Sequence, residues 1–290
     1  MPDEAAWEQL DPFPMITHAP VFGNPPPEKS VIRMGYDDQF VYVGGLLYVS
    51  DPSYIRAIGK KRDAETASSD FFMISFDSYN DKENSLIFGT NPLGLRLDAA
   101  VSKDGTMSMD EMPVNMDWNT FWEVKASHDE QGWYFEMQIP ISSLRFQDED
   151  GQTVMGISLF RWLPAKDEGY IFPAISTDWG PTSHMKPSLY EEVVFKDLSP
   201  KKPLLIAPYV LTSYEQKNEL NEAETAYEYG DDFKFEPGLD FKYGINPNTV
   251  LDLTVNTDFA QVEADDQQFN TSRFSLFFPE KRKFFLERSS

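Results

Sequence analysis

Hydrophobic and polar residues alternate in short runs along the first two thirds of the chain. In FFMISFDSYN (71–80), Phe72, Ile74 and Phe76 fall on one face, which is the two-residue period of a β-strand. The run 153–163 (TVMGISLFRWL) is almost continuously apolar, as is typical of a central strand buried on both faces. Further strands are predicted in SVIRMGY and QFVYVGGLLYVS, SLIFGT, LRLDAAVS, FWEVKASH, GWYFEMQI, YIFPAIS and LYEEVVF.

Turn residues separate these runs at short intervals. Asp37-Asp38, 80–84 and 129–132 carry the Asp, Asn and Gly of hairpin loops. Only short helical turns are predicted, at 3–10, within 53–67 and at 141–144. Strands at this spacing without a long amphipathic helix predict an all-β fold, an antiparallel β-sandwich over residues 1–197.

Residues 198–290 have a different pattern. A strand at LLIAPYVLTSYEQ precedes an acidic loop over 217–232, and FKFEPGLDFKYGI and LDLTVNTDF then alternate strictly between apolar and polar residues. Such hairpins are typical of strands that begin an outer-membrane β-barrel. A soluble sheet with one buried face has the same period, so the pattern alone leaves both interpretations open.

Composition narrows the classes of partner. The chain has 290 residues, no cysteine and a net charge of −23. This charge argues against nucleic acid and anionic lipid as partners, because both require an excess of Lys and Arg. The negative charge has two interpretations. It can serve solubility alone, or it can reflect binding of a divalent cation or a neutral polymer. No apolar run is long enough for a transmembrane helix, and the first residues lack the features of a signal peptide.

Several segments together resemble a known family. The chain is similar to bacterial outer-membrane proteins in which a family-nine carbohydrate-binding-module-like (DOMON-like) domain precedes a β-barrel of unknown function. The segments that carry the resemblance are DEAAWEQL, GYDDQFVYVGGLLYVSDP, SSDFFMISFDSYNDKENSLIFGTNPLGLRLDA, WNTFWEVKASHDEQGWYFEMQIPISSLRF, GLDFKYGI, LTVNTDFAQVEAD and FFPEKRKFFLE. The resemblance implies a β-sandwich at 1–197, the first barrel strands at 198–290, and an exported, outer-membrane-associated protein. It further implies that the chain stops as its barrel begins and that a signal peptide has been removed.

Candidate ligand residues follow from the chemistry of sugar binding, in which aromatic rings stack on the sugar and polar side chains bond its hydroxyls. Trp179, beside Asp178 in a Gly- and Pro-containing loop, and Trp118, in an Asn- and Asp-rich loop, are the best exposed platforms. Trp122 is a further candidate, whereas Trp133 and Trp162 are assigned to packing. The polar candidates at strand ends are Asp77, Asn91, Arg96 and Asp98, for which turn capping is the competing interpretation.

Metal binding and catalysis have less support. Asp148 and Asp150 lie in the densest acidic turn and are the candidate ligands for Ca²⁺, the one cofactor considered, although the EF-hand spacing is absent. No motif for hydrolysis is present, and a glycosidase would need two carboxylates facing one sugar.

The sequence therefore predicts a non-catalytic module that binds a polysaccharide or oligosaccharide and is joined to its own C-terminal β-barrel. The alternative is a structural periplasmic or surface domain that caps the barrel without a sugar site. A glycoside hydrolase is the third and least supported hypothesis.

Overall fold

The protein consists of two compact units, Met1–Lys201 and Lys202–Ser289. The computed structural model describes residues 5–64, 66–107, 113–148, 151–201, 204–220, 225–246 and 249–256. The motifs FFPEKRKFFLE and most of NTDFAQVEAD therefore lie outside the described residues. In the described parts of the chain, no helix has the length and apolarity needed to cross a bilayer.

Unit 1 is an antiparallel β-sandwich, as the sequence predicts. The larger sheet has the strand order β1-β11-β10-β4-β5-β6-β7, with β12 also pairing β10, and the smaller has the order β2-β3-β9-β8. The strands of the larger sheet are β1 (Ile16–Ala19), β4 (Phe71–Asp77), β5 (Ser85–Thr90), β6 (Leu97–Val101), β7 (Val114–Asn115), β10 (Gln152–Leu163), β11 (Glu168–Phe172) and β12 (Glu191–Lys196). Those of the smaller sheet are β2 (Ser30–Tyr36), β3 (Phe40–Tyr48), β8 (Glu123–His128) and β9 (Gly132–Pro140).

The connections agree with the turn chemistry of the sequence. Asp37 accepts hydrogen bonds from the N–H groups of Gln39 and Phe40, and Asp129 does the same for Gln131. One α-helical turn, α1 (Ile141–Leu144), follows β9. The described residues of the unit also form six 3-10 turns: Trp7–Gln9, Pro52–Tyr54, Lys103–Gly105, Thr177–Trp179, Ser183–Met185 and Pro187–Leu189.

The main core lies between the two sheets. Strand β4 contributes Phe72, Ile74 and Phe76, and the facing β9 contributes Trp133 and Phe135. The rings of Phe72 and Phe135 stack with their centroids 4.5 Å apart. The alternation predicted for β4 thus places every second residue in this core.

The outer face of the larger sheet carries a second core. Phe71 and Met73 of β4 and Phe160 of β10 point away from the smaller sheet and pack with Ile175 and Tyr190. The segment 173–190, which contains three of the 3-10 turns, covers this face. Strand β4 is therefore buried on both faces. The segment that covers its outer face contributes residues to the candidate site.

The described part of unit 2 forms a three-stranded antiparallel sheet in the order β13-β14-β15. Its strands are β13 (Leu204–Leu220), β14 (Tyr227–Asn246) and β15 (Thr249–Val255). The acidic loop predicted over 217–232 is too long, because Lys217 pairs with Gly230 and Glu215 with Asp232 inside the ladder. The backbone pairing of β13 with β14 continues through these acidic residues as far as Leu220 and Tyr227.

Candidate functional site

A pocket of about 360 Å³ opens on the outer face of the larger sheet. Five aromatic rings contribute to its lining: His18 of β1, Phe71 of β4, Phe160 and Trp162 of β10, and His184 of the covering segment. We call this the aromatic pocket. Phe160 and Trp162 lie two residues apart on one strand and therefore face the same side of the sheet.

Hydrogen bonds and ring stacking fix these walls. The Trp162 indole N–H donates to the Ala67 carbonyl at 2.8 Å, and Ala67 itself lines the pocket. The His184 ring stacks on Phe160 with centroids 4.3 Å apart and an interplanar angle of 20°. The pocket is thus largely formed before any ligand arrives, as ligand sites commonly are.

Two histidines meet at this pocket. The rings of His18 and His184 lie 5.9 Å apart, and the His18 Nδ1 is 2.9 Å from the Ile175 carbonyl oxygen, which requires a proton on that nitrogen. Burial lowers the pKa of His184 to about 3, and burial also lowers the pKa of His18. Both imidazoles are therefore neutral at pH 7.

Trp179 stands beside the aromatic pocket with 63% of its surface exposed. It ends the 3-10 turn Thr177–Trp179, and its neighbours Thr177 and Pro181 line the pocket. The Ser176 hydroxyl caps this turn by accepting the Asp178 N–H at 3.1 Å. A large, exposed apolar ring is thereby carried on a short, capped turn whose flanking residues line the pocket.

The chemistry of the pocket is apolar with few polar groups. The hydroxyls of Thr66 and Thr177 and the imidazole nitrogens supply hydrogen-bond donors and acceptors beside the rings. Among the described residues that line it, none is a carboxylate. This combination of stacking surfaces and a few neutral polar groups suits a neutral, hydroxylated ring.

Three of the residues predicted from sequence are committed to internal contacts elsewhere. Trp122 is 2% exposed and packs edge-on against Phe88 in the main core. The Asp98 carboxylate is buried, pairs with Arg62 and accepts the Thr120 N–H at 2.7 Å. Arg96 donates to the Trp122 carbonyl at 3.2 Å. We leave these three out of the proposed site.

Asn91 and Asp77 stabilise turns. The Asn91 side chain accepts the N–H groups of Leu93 and Leu95 and donates to the Gly59 carbonyl at 2.7 Å. The buried Asp77 carboxylate accepts the N–H groups of Asp81 and Lys82 in the β4–β5 turn. Burial raises the pKa of Asp77. Both side chains thus accept backbone N–H groups of turns, which is the role that the turn-capping interpretation gives them.

The structure therefore divides the predicted ligand residues among several places. Asp178 and Trp179 lie in the chain between Thr177 and Pro181, which line the aromatic pocket, whereas Trp118 lines a separate pocket. Asp148 accepts the Gly151 N–H at 3.4 Å, and Asp150 lies outside the described residues. Among the residues that the structure describes, no group of three or more potential metal ligands is assembled. Calcium binding stays a prediction.

Sequence reasoning missed most of the aromatic pocket. The sequence assigns Trp162 to packing, yet its ring forms part of the wall. His18 and His184 are 166 positions apart in the chain, and only the fold brings their rings together. A signal was present in the spacing of Phe160 and Trp162 on one strand face. Their partner Phe71, by contrast, is distant in sequence and is brought close only by the pairing of β4 with β10.

Comparisons with known proteins give one family model for the C-terminal part of the chain and several similar solved structures. Residues 200–289 match a family model described as a domain of unknown function, DUF5916. A comparison with curated proteins gives no match.

Among solved structures, the chain is similar to a family 9 carbohydrate-binding module from Caldicellulosiruptor kristjanssonii in complex with cellotriose. The identity is 16%, the coverage is 68% of this chain and 87% of that one, and the TM-score is 0.42. The same module in complex with glucose gives 17% identity, 68% and 88% coverage and a TM-score of 0.43. A proposed carbohydrate-binding protein from Bacteroides uniformis ATCC 8492 gives 11% identity, 63% and 87% coverage and a TM-score of 0.48. At these TM-scores the likeness carries no functional inference.

Proposed function

We propose that unit 1 is a non-catalytic carbohydrate-binding module and that the aromatic pocket, with Trp179 at its rim, holds the sugar. The observation that carries the proposal is a preformed pocket with aromatic walls beside a tryptophan that is 63% exposed. Trp is usually well buried, so such an exposed indole on a capped turn indicates a contact surface.

The chemistry of a neutral sugar matches this arrangement. The C–H faces of a pyranose ring stack on Trp179 or Trp162, while hydroxyls exchange hydrogen bonds with threonine and neutral imidazole groups. The neutral imidazole of His184 offers one donor and one acceptor, as a sugar hydroxyl does, whereas the Nδ1 proton of His18 is already donated to the Ile175 carbonyl. The ligand class is therefore a polysaccharide or oligosaccharide with an accessible neutral ring.

A binding role is favoured over hydrolysis by the lining of the pocket. Glycosidases use two carboxylates on either side of the scissile bond, separated by about 5–10 Å. The described lining residues of the aromatic pocket include no Asp or Glu. Asp178 lies next to Trp179 on the rim, and a single carboxylate does not form such a pair.

The first test is a glycan-array screen of the soluble chain followed by calorimetric titration of the best neutral hit. Trp179→Ala should weaken binding at least tenfold, about 1.4 kcal/mol, because it removes the rim platform. Phe121→Ala is the matched control, since Phe121 is a similarly exposed ring (60%) outside the pocket. Equal affinities of the two variants would refute the assignment of the pocket. A screen without any hit would favour a structural role for unit 1.

A specific observation in unit 2 supports the second component of the proposal, a place in the outer membrane of an exported protein. Strand register puts Ile206 of β13, Phe241 of β14 and Leu253 of β15 side by side, and the same face continues with Phe235 and Phe233. These side chains are mostly exposed, Phe233 at 64% and Phe235 at 60%. The opposite face carries charged residues such as Lys234, Glu236 and Asp240.

Strand length agrees with this placement. Strands β13 and β14 contain 17 and 20 residues, whereas a tilted strand crosses a bilayer with about 9–11. Tyrosines 214, 227 and 229 lie toward one end of the apolar face, as interfacial aromatics do in membrane strands. We infer that this face contacts lipid.

Flotation with phosphatidylcholine vesicles tests this component, and the zwitterionic lipid minimises the effect of the net charge of −23. Phe235→Arg should lower the fraction of protein that floats, because a cation on a lipid-facing strand costs about 2–4 kcal/mol at mid-depth. Lys234→Ser, on the opposite face, is the control and should float as the parent does. If both variants float equally, the apolar face does not contact lipid.

A further inference from the structure

The larger sheet contributes four apolar side chains to the aromatic pocket, from two neighbouring strands. Strand register places Phe71 of β4 opposite Trp162 of β10, and Met73 of β4 opposite Phe160 of β10. All four side chains line the pocket. We call them the apolar patch. Residues two apart on one strand and opposite on the next enclose an area of roughly 7 Å by 5 Å, which is about the size of one small substituent.

This patch offers a ligand no strong hydrogen bond. Phe71 and Phe160 are hydrocarbon rings, and the thioether of Met73 is only a weak acceptor. Trp162 already donates its indole N–H to the Ala67 carbonyl at 2.8 Å. A sugar hydroxyl lying against the patch would lose its water without gaining a partner, which costs free energy. The patch therefore favours a ligand that places an apolar group there.

Uncharged polar groups lie beside the patch. Thr66, Thr177 and His184 line the same pocket, and the His184 ring stacks on Phe160 of the patch. No side-chain hydrogen bond joins these three residues to another residue that the structure describes. Each of them can donate and accept a hydrogen bond. The pocket thus combines an apolar surface with neighbouring neutral donors and acceptors.

We propose that the aromatic pocket selects a sugar unit with an N-acetyl group, a 2-acetamido-2-deoxyhexose, whose acetyl methyl group packs on the apolar patch. This inference rests on the proposed function of the pocket and names its ligand class. An acetamido group joins a methyl group to an amide with one N–H donor and one carbonyl acceptor. The methyl group matches the patch, and the amide matches the threonine hydroxyls and the imidazole beside it.

Size and charge agree with this ligand. The pocket volume of about 360 Å³ falls within the roughly 300–1,000 Å³ of small-molecule sites and accommodates one substituted ring. The described lining residues include no Asp, Glu, Lys or Arg. A uronate carboxylate or a free glucosamine ammonium would therefore find no opposite charge in this lining, and burying it there would be costly. The neutral acetylated sugar avoids this cost.

The test is calorimetric titration of the full chain with triacetylchitotriose and with cellotriose. The two trisaccharides share a β-1,4-linked glucose backbone and differ in the acetamido group or hydroxyl at carbon 2. Triacetylchitotriose should bind at least tenfold more tightly, because only its substituent covers the patch without burying an unpaired hydroxyl. Equal affinities, or tighter binding of cellotriose, would overturn the inference and leave the proposed function standing.

Failure of the proposed function itself has a different result. If neither trisaccharide binds, the inference is overturned, and the glycan-array screen decides the function separately. Another neutral glycan whose affinity falls in Trp179→Ala would keep the pocket as a sugar site without N-acetyl selectivity. A screen without any neutral hit would remove the sugar site and the inference together.

Met185→Gln tests where the methyl group lies. Met185 lines the pocket and packs against the same core as Phe71 and Met73, yet it is only half-buried, so a polar replacement of similar length leaves the core in place. The preference for triacetylchitotriose over cellotriose should fall about threefold or more, because an amide then faces the acetyl methyl group. Met116→Gln is the matched control, since Met116 lies outside the pocket lining. A Met185→Gln protein with the parent's thermal unfolding midpoint and the parent's preference would overturn the inference.

Discussion

At the scale of single residues, the least expected feature is a complete ion pair inside the sandwich. Arg161 and Asp70 are both fully buried, with the Arg161 Nη2 3.0 Å from the Asp70 Oδ2. Arg161 also donates to the Tyr48 carbonyl at 3.1 Å, across to the smaller sheet. Removing a charge from water is costly, and these bonds offset that cost only while both partners are present.

Arg161→Met should therefore destabilise unit 1 strongly, because it leaves the Asp70 carboxylate buried without its cation. We expect a loss of about 3–5 kcal/mol in the free energy of unfolding, measured by urea denaturation. The double variant Asp70→Asn/Arg161→Met should recover part of that loss, since it leaves no uncompensated charge. A single variant within about 1 kcal/mol of the parent would show that the pair is dispensable.

At the scale of elements, the covering segment 173–190 depends on neutral histidine. His184 of this segment stacks on Phe160 of β10, and burial lowers the pKa of His184 to about 3 from the usual 6.5. Between these values the unfolded chain binds a proton that the folded chain does not. The folded state is thus disfavoured as pH falls below about 6.5, and this loss is absent at pH 7 and above.

Unfolding by urea at pH 7 and pH 5 measures this effect. The parent should lose about 1–2 kcal/mol more than His184→Phe between the two pH values, because one pKa unit corresponds to about 1.4 kcal/mol. His128→Gln replaces an exposed histidine and should behave as the parent does. An identical pH dependence in His184→Phe and the parent would contradict a buried neutral imidazole.

The elements themselves could largely be predicted from sequence, whereas the site could not. Alternation in 71–77 and the apolar run of β10 follow from local residue order, and the structure confirms the antiparallel β-sandwich. The aromatic pocket instead depends on which strands become neighbours. Phe71 meets Trp162 because β4 pairs with β10, and His184 meets His18 through a long segment whose path has no periodic signature.

For polar residues, the sequence predicts ligand contacts where the structure shows internal ones. Asp98 and Asn91 are residue types that bind sugars. In the structure, Asp98 instead forms an ion pair with Arg62, and Asn91 stabilises a turn by accepting the Leu93 N–H. Which carboxylates stay available depends on partners such as Arg62, which lies 36 positions from Asp98 in the chain. Residue type alone cannot distinguish these outcomes.

At the scale of the whole molecule, the two units have separate architectures. All buried members of both cores of unit 1 lie before residue 199. The residues of unit 2 that the structure describes contribute none of them, and the apolar side chains of its paired strands lie on one sheet face. We therefore propose sugar binding for unit 1 and lipid contact for unit 2.

A fragment of residues 1–201 should accordingly fold alone and bind neutral glycans as the full chain does. Its unfolding midpoint should lie within a few degrees of that of unit 1 in the full chain, since its core is intact. Thermal unfolding followed by circular dichroism, with calorimetric titration of the fragment, checks both points. A fragment that is unfolded, or folded and unable to bind the glycan, would contradict the assignment of function to unit 1.

The most direct measurement of the central claim is the set of tryptophan indole N–H resonances of the full chain during titration with a neutral oligosaccharide. The signals of Trp179 and Trp162, assigned by Trp→Phe substitution, should shift saturably with one shared affinity. Those of the core residues Trp122 and Trp133 should stay in place. Shifts confined to other tryptophans, or a glycan that binds without moving the signals of Trp179 and Trp162, would contradict the aromatic pocket as the sugar site.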